Sequence, residues 1–279
     1  GFQADVAVKD GTITAIGDLS GLQAQKILDA SGLVVAPGFI DAHSHSDTSF
    51  LRDSSGASRI YQGVTTEVSG QCGYSPFPAL PERLKSTTSE LDGDDDWYCA
   101  SFDDFVKRFE ASKYEMAVNQ AILVGHGSLR AGVIGYEDRP VTPEELEQMK
   151  AHVRAAMEAG ALGLSFGLGY NPGCYSEIPE MTALAKVAAE YGGVVTAHIR
   201  NEGDNVAAAV KEFLQVLRES GARGVVSHLK SSDREENWGK VHNLMRLIDD
   251  ANKEGLDVYA DVYPYNAYNT SLLPIFAPI

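Results

Sequence analysis

Two histidines separated by one residue, His43 and His45, lie near the end of the segment PGFIDAHSHSD at residues 37–47. In extended backbone, residues i and i+2 share a face, so this pair can offer two imidazoles to one metal ion. By itself the pattern fits a strand end with two surface histidines equally well. Three further donors, Cys72, His198 and His228, each follow an apolar run later in the chain. The five together supply enough imidazole and thiolate for a zinc-type centre with one or two metal positions. Such a centre lowers the pKa of a bound water and polarises a carbonyl, which is hydrolytic chemistry.

Donors so far apart in sequence must be gathered by the fold. Short apolar runs read as strands at Phe39–His43, Thr65–Ser69, Asn119–Val124, Leu162–Phe166, Val194–His198, Gly224–His228 and Val258–Val262. Helical periodicity separates the later ones. Thr142-Pro143-Glu144-Glu145 supplies a cap, a first-turn proline and a capping-box acid, and Gly160 ends that helix. Glu180–Tyr191, Val206–Ser220 and Val241–Asn252 repeat the theme, each followed by glycine. Strand–helix alternation implies a parallel sheet, either open or closed as a (β/α)8 barrel.

The donors fall at the carboxyl ends of different strands, which converge only in a barrel, so the barrel is expected. No eighth strand follows Val262 before Ile279. A seven-strand barrel would expose two edges, so the expectation is a TIM-type barrel incomplete at its C-terminus, in a chain that is part of a longer protein. Ahead of it, ADVAVKDGTITAIG at 4–17 alternates around Asp10-Gly11, a hairpin signal, and Lys26–Asp29 and Gly32–Ala36 read as short strands. The expected division is a small β-subdomain at 1–36 and a barrel at 37–279.

At 44% apolar and 22% charged, the 279-residue chain has an ordinary globular composition. No apolar run approaches the ~20 residues of a membrane span, so no membrane partner is expected. Three unpatterned cysteines argue for a reducing compartment, and the expected location is the cytoplasm. A net charge of −16 argues against nucleic acid, and any anionic ligand needs a local Lys or Arg.

Seven segments resemble the amidohydrolase superfamily and, within it, the N-acyl-D-amino-acid deacylases (D-aminoacylases). They are PGFIDAHSHSD, GVTTEVSGQCGYSP at 63–76, GHGSLR at 125–130, GLGYNPGCYSE at 167–177, AHIRNEG at 197–203, SHLKSS at 227–232 and DVYPYNA at 261–267. They occur in family order along nearly the whole chain. The resemblance implies a metal-dependent hydrolase barrel that cleaves the amide of a small anionic N-acyl-D-amino acid to a carboxylate and a D-amino acid.

It implies that Cys72, His198 and His228 hold a tightly bound Zn2+ and that His43 and His45 belong to a second position. Whether a weakly bound ion fills that position stays open. Binuclear relatives bridge their metals with a modified lysine on the fourth strand; Ala161–Phe166 contains none. Lys230 would pair with the substrate carboxylate, as would Tyr263 or Tyr265. The general base would be an aspartate ending an eighth strand, so no residue of this chain is assigned to it, and Asp261 on the seventh is not promoted.

His126, after the third strand, is a candidate substrate contact. Arg200, Asn201 and Glu202 follow a ligand histidine and could orient it. Cys99 and Cys174 read as ordinary residues, His152 and His242 as helix surface, and Asp92–Asp96 as a solvated acidic loop. Gly163, Gly167 and Gly169 suggest tight packing near the barrel mouth rather than a phosphate cradle. Two alternatives stand beside the deacylase: a cyclic-amide hydrolase of the hydantoinase or dihydroorotase kind, against which Lys230 and Cys72 speak, and a non-catalytic metal-binding protein of the same fold.

Overall fold

The computed structural model describes residues 1–51, 53–79, 99–111, 116–232 and 234–270, so the expected Asp92–Asp96 loop lies outside the described residues. Contacts divide the chain into two compact units, Gly1–Pro37 and Gly38–Ile279.

The first unit contains an antiparallel hairpin of β1 (Asp5–Lys9) and β2 (Thr12–Gly17). Asp10 and Gly11 form its two-residue turn with φ of 50° and 74°. Positive φ at both central positions is what a type I′ turn requires, and Asp-Gly tolerates it. The strands expected at Lys26–Asp29 and Gly32–Ala36 do not form. Apolar alternation alone makes no strand without a hydrogen-bonded neighbour, and neither segment joins a ladder among the described residues.

The second unit is built on seven parallel strands hydrogen-bonded in sequence order. They are β3 (Phe39–Asp41), β4 (Val64–Ser69), β5 (Asn119–Gly125), β6 (Gly163–Gly167), β7 (Val194–His198), β8 (Arg223–Val226) and β9 (Val258–Ala260). The longer helices are α1 (Phe102–Ala111), α2 (His126–Val133), α3 (Pro143–Glu158), α4 (Ile178–Glu190), α5 (Val206–Ser220) and α6 (Val241–Lys253).

The sheet is strongly curled, as one distance shows. β3 and β8 are five strand spacings apart, about 24 Å in a flat sheet. Yet the rings of His43, just after β3, and His228, just after β8, lie 5.2 Å apart. Curling folds the carboxyl ends of the strands onto one another.

Burial follows from that arrangement. Every residue of β6 is buried, with Leu164 and Phe166 in the same core as Met149 and Val153 of α3 and Leu184 of α4. Ser165 is buried too; its hydroxyl accepts from the Gly73 amide and donates to the Gly70 carbonyl. Small residues let the backbones meet. A Cβ on Gly163 would lie 1.9 Å from the Val194 carbonyl oxygen, and one on Gly167 would lie 2.0 Å from that of Cys72. The tight packing expected of these glycines is therefore what brings the Cys72 loop against the end of β6.

Helix α3 begins as its sequence indicates. The Thr142 hydroxyl accepts from the Glu145 amide, and the Glu145 carboxylate accepts from the Thr142 amide. Thr142→Ala is expected to lower stability by about 1 kcal/mol, readable as a smaller midpoint in urea unfolding. Helix α2 had no such signature. It starts directly from β5 at Gly125, without a side-chain cap, and six of its eight residues are buried. Tertiary packing, rather than periodicity, makes it helical.

Candidate metal centre

The five expected donors meet at the carboxyl ends of four strands. β3 stops at Asp41, two residues short of its expected end, so His43 and His45 lie on the segment that follows. Their alternation survives there. Ser44 and Ser46 are buried and donate from one side to the Glu67 carboxylate, while the rings of His43 and His45 lie 5.4 Å apart, edge to face. Glu67 is itself held by Arg59 and Gln120. Burial pushes its carboxyl up, but the hydrogen bonds from Arg59, Ser46 and Ser44 outweigh this and hold it below the usual range.

Cys72 and His228 both have left-handed backbone, with φ of 54° and 37°. Such conformations cost about 1–3 kcal/mol each and persist where surrounding structure over-determines them. At Cys72 the flanking Gly70 and Gly73 also have positive φ, so the loop turns sharply and delivers the sulfur to the centre. Cys72 Sγ is 3.4 Å from His228 Nε2 and 3.4 Å from His43 Nε2, and His198 Nδ1 is 2.9 Å from His228 Nε2.

Tetrahedral zinc with ordinary bond lengths needs nitrogen pairs about 3.3 Å apart and nitrogen–sulfur pairs about 3.5 Å apart. The observed set lies within a few tenths of an ångström of that. Two donor triplets result, His43–His45–Cys72 and Cys72–His198–His228, each with its ligand atoms within 4.8 Å of one another. Thiolate plus imidazole is a donor chemistry that suits zinc.

The electrostatics favour a cation. Burial, above all, pushes the Cys72 thiol well up, and the Asp261 and Glu202 carboxylates push it further, so a cation is what would stabilise its thiolate. Burial lowers His198 to about 3, keeping the ring neutral with a lone pair to give.

Around the donors stand two carboxylates. Asp261, just after β9, has Oδ2 3.0 Å from His43 Nδ1 and accepts the His228 backbone N–H at Oδ1, 2.5 Å away. Glu202 has Oε1 2.9 Å from His228 Nδ1 and 2.7 Å from Lys230 Nζ. Burial pushes Glu202 up, but the hydrogen bond with His228 and the charges of His198, His228 and Lys230 bring it down to about 2. Glu202 thus meets His228, just beyond the end of the neighbouring strand β8, rather than the His198 it follows in the chain. Arg200 turns away; it binds Glu212 and the carbonyls of Cys174 and Ser176, stapling the loop after β6.

The expected substrate contacts are placed unequally. Lys230 Nζ lies 5.5 Å from the centre of the Tyr263 ring and 5.4 Å from that of Tyr268. Tyr265 is 72% exposed. His126 is fully buried, with Nε2 2.8 Å from Glu180 Oε1, and Arg130 Nη1 holds the other carboxylate oxygen at 2.5 Å. Sequence reasoning passed over Tyr170, whose ring sits 4.5 Å from that of His198. Burial pushes its phenol up to about 12, so it stays protonated. Its place in the loop after β6 was the available signal.

Residues 26–270 match the model of a family described as the amidohydrolase family. The chain is 41% identical to the N-acyl-D-glutamate deacylase of Alcaligenes xylosoxydans xylosoxydans, across 98% of this chain and 55% of that protein. It is 40% identical, with a TM-score of 0.88, to the crystal structure of the N-acyl-D-glutamate deacylase of Bordetella bronchiseptica in complex with zinc and a phosphonate inhibitor that mimics the tetrahedral intermediate. That match covers 94% of this chain and 55% of the other. A D-aminoacylase structure described by its binuclear metal centre, with one-metal activation and second-metal attenuation, matches at 35% identity and a TM-score of 0.87 over 94% and 54% of the two chains. The chain spans about half the length of these relatives.

Proposed function

The chain belongs to the amidohydrolase family, and on that premise we propose that it carries the metal centre of a zinc-dependent hydrolase of N-acyl-D-amino acids. The observation that carries this is the meeting of Cys72, His198 and His228, with His43 and His45 beside them, next to a lysine. The seven-stranded parallel sheet is read as most of a (β/α)8 barrel with the centre at its carboxyl-terminal mouth. Bound zinc would activate water and polarise the scissile carbonyl.

The residues seen here do the rest. Cys72, His198 and His228 form the tight position, and His43 and His45 share Cys72 with a weaker one. Lys230 offers a local positive charge in a chain of net charge −16, which recognition of an anionic substrate requires. Tyr263 flanks it, its ring centre 5.5 Å from Nζ. Asp261 and Glu202 are engaged with imidazoles, which commits them to holding ligands. The D-preference and a glutamate-like side chain are carried over from the relatives at 41% and 40% identity. Cys72, Cys99 and Cys174 form no disulfide, which fits a reducing compartment, and we place the protein in the cytoplasm. Among the described residues no helix is long and apolar enough to cross a membrane.

The test is an assay of the full-length, zinc-loaded protein on N-acetyl-D-glutamate, other N-acetyl-D-amino acids, their L-forms and hydantoins. Hydrolysis of the D-forms, lost with a chelator and restored by zinc, is expected. Activity confined to hydantoins would overturn the assignment, and so would a zinc-loaded protein inert to every acyl amino acid. Lys230→Met is expected to raise KM with little change in kcat. A charge-assisted contact of about 1.5–3 kcal/mol corresponds to roughly 10–150-fold.

A further inference from the structure

A histidine that binds a metal through Nε2 must carry its proton on Nδ1, and something must accept that proton. His43 and His228 both turn Nε2 toward Cys72, 3.4 Å away in each case. Each presents Nδ1 to a different carboxylate, Asp261 Oδ2 at 3.0 Å for His43 and Glu202 Oε1 at 2.9 Å for His228. Asp261 lies 218 residues from His43 along the chain, and the curl of the sheet brings them together, whereas Glu202 and His228 meet because they follow the neighbouring strands β7 and β8.

We propose that Asp261 and Glu202 are positioning residues, one for each metal position: Asp261 sets the tautomer and orientation of His43, and Glu202 does the same for His228. The proposal rests on reading the site as a zinc centre.

Further contacts sharpen the assignment. Lys230 Nζ is 3.1 Å from His228 Nδ1, so without Glu202 the lysine would donate to Nδ1 and leave the proton on Nε2, where it blocks a metal. With Glu202 present, both Lys230 and the Nδ1–H group donate to Oε1, and Nε2 keeps its lone pair. Asp261 has a second duty. Its Oδ1 accepts from the backbone N–H of His228, whose φ is 37°, so one carboxylate joins the His43 segment to the strained end of β8. The two anchors remain separable. In Asp261→Asn the amide oxygen can keep the His228 backbone bond, while its NH2 group faces the His43 Nδ1–H and loses that contact. In Glu202→Gln the remaining oxygen serves Lys230 or His228 but no longer carries charge for both.

The experiment is zinc titration of the metal-free, full-length protein against a chromophoric chelator, for wild type, Glu202→Gln and Asp261→Asn. Cobalt titrations of the same proteins follow the thiolate charge-transfer band from Cys72. Glu202→Gln is expected to weaken the tighter zinc site about 10–100-fold and spare the weaker one. Asp261→Asn is expected to do the reverse. A Lys230→Met control should retain wild-type zinc affinity at the tighter site.

A parallel measurement needs no substitution. Imidazole 15N spectra of the zinc-loaded wild type should show His43 and His228 protonated at Nδ1. Equal loss at both sites in both variants, unchanged zinc affinity, or Nε2–H tautomers would overturn the proposal. A wild type that binds no zinc would instead sink the functional reading on which it rests.

Discussion

Cys72→Ala in the full-length protein is expected to abolish the proposed zinc-dependent deacylation while leaving a folded chain. The sulfur lies 3.4 Å from one histidine nitrogen of each donor triplet, so its removal takes a ligand from both. Metal assistance contributes several kcal/mol to stabilising the transition state of such a hydrolysis. Losing it corresponds to a drop in kcat/KM on the order of 1,000-fold or more. Zinc affinity should fall further than the roughly 10–100-fold typical of losing an outer partner of a ligand. Both quantities can be read on one preparation, by chelator competition and initial rates. A variant that keeps near wild-type zinc binding and turnover would remove Cys72 from the centre. The fold should survive, because the Cys72 loop is also held by the Ser165 hydroxyl and by close glycine packing.

Glu180→Ala is expected to be the most damaging substitution outside the metal centre. Glu180 is buried between His126 and Arg130, and Arg130 and His126 are both 0% exposed. Removing the carboxylate leaves a buried guanidinium without its counter-charge, which costs about 3–5 kcal/mol. The loss should appear as a lower urea midpoint at an unchanged m value. The pH dependence has a definite sign. Burial alone would raise the Glu180 carboxyl, but the hydrogen bond from His126 and the charge of Arg130 hold it below the ordinary glutamate value. A depressed folded-state pKa adds stability above the unfolded-state value, and that stability is lost as pH falls through the folded-state value. Wild type should therefore lose stability in acid below the usual glutamate range more steeply than Glu180→Gln does. Equal slopes would show that the carboxylate is not held in its charged form by these partners.

The same cluster bears on His126. In sequence, a histidine directly after a strand in GHGSLR reads as a candidate substrate contact lining the pocket. In the structure its ring lies 5.0 Å from Phe166 and donates into the Glu180–Arg130 pair, beneath the loop that carries Tyr170. Both descriptions agree on its position in the chain. They differ in which way the side chain faces, and local spacing carries no information on that.

Much of the architecture was legible from the chain alone, because it depends on short-range physics. The Asp10-Gly11 turn, the Thr142 cap and the glycine stops after four helices are written in nearby residues. The seven strands follow from apolar runs between helical periods. The five candidate donors could be picked out because each lies at or just beyond a strand end. Tertiary structure decided what depends on the curl of the sheet and on which strands are neighbours in it. It set which nitrogen of His43 and of His228 faces the sulfur, paired Glu202 with His228 instead of its neighbour His198, brought Asp261 to His43, and buried His126. The reason is that periodicity fixes which residues end a strand, whereas the partners of a side chain there are set by how far the sheet bends, a property of the whole set of strands.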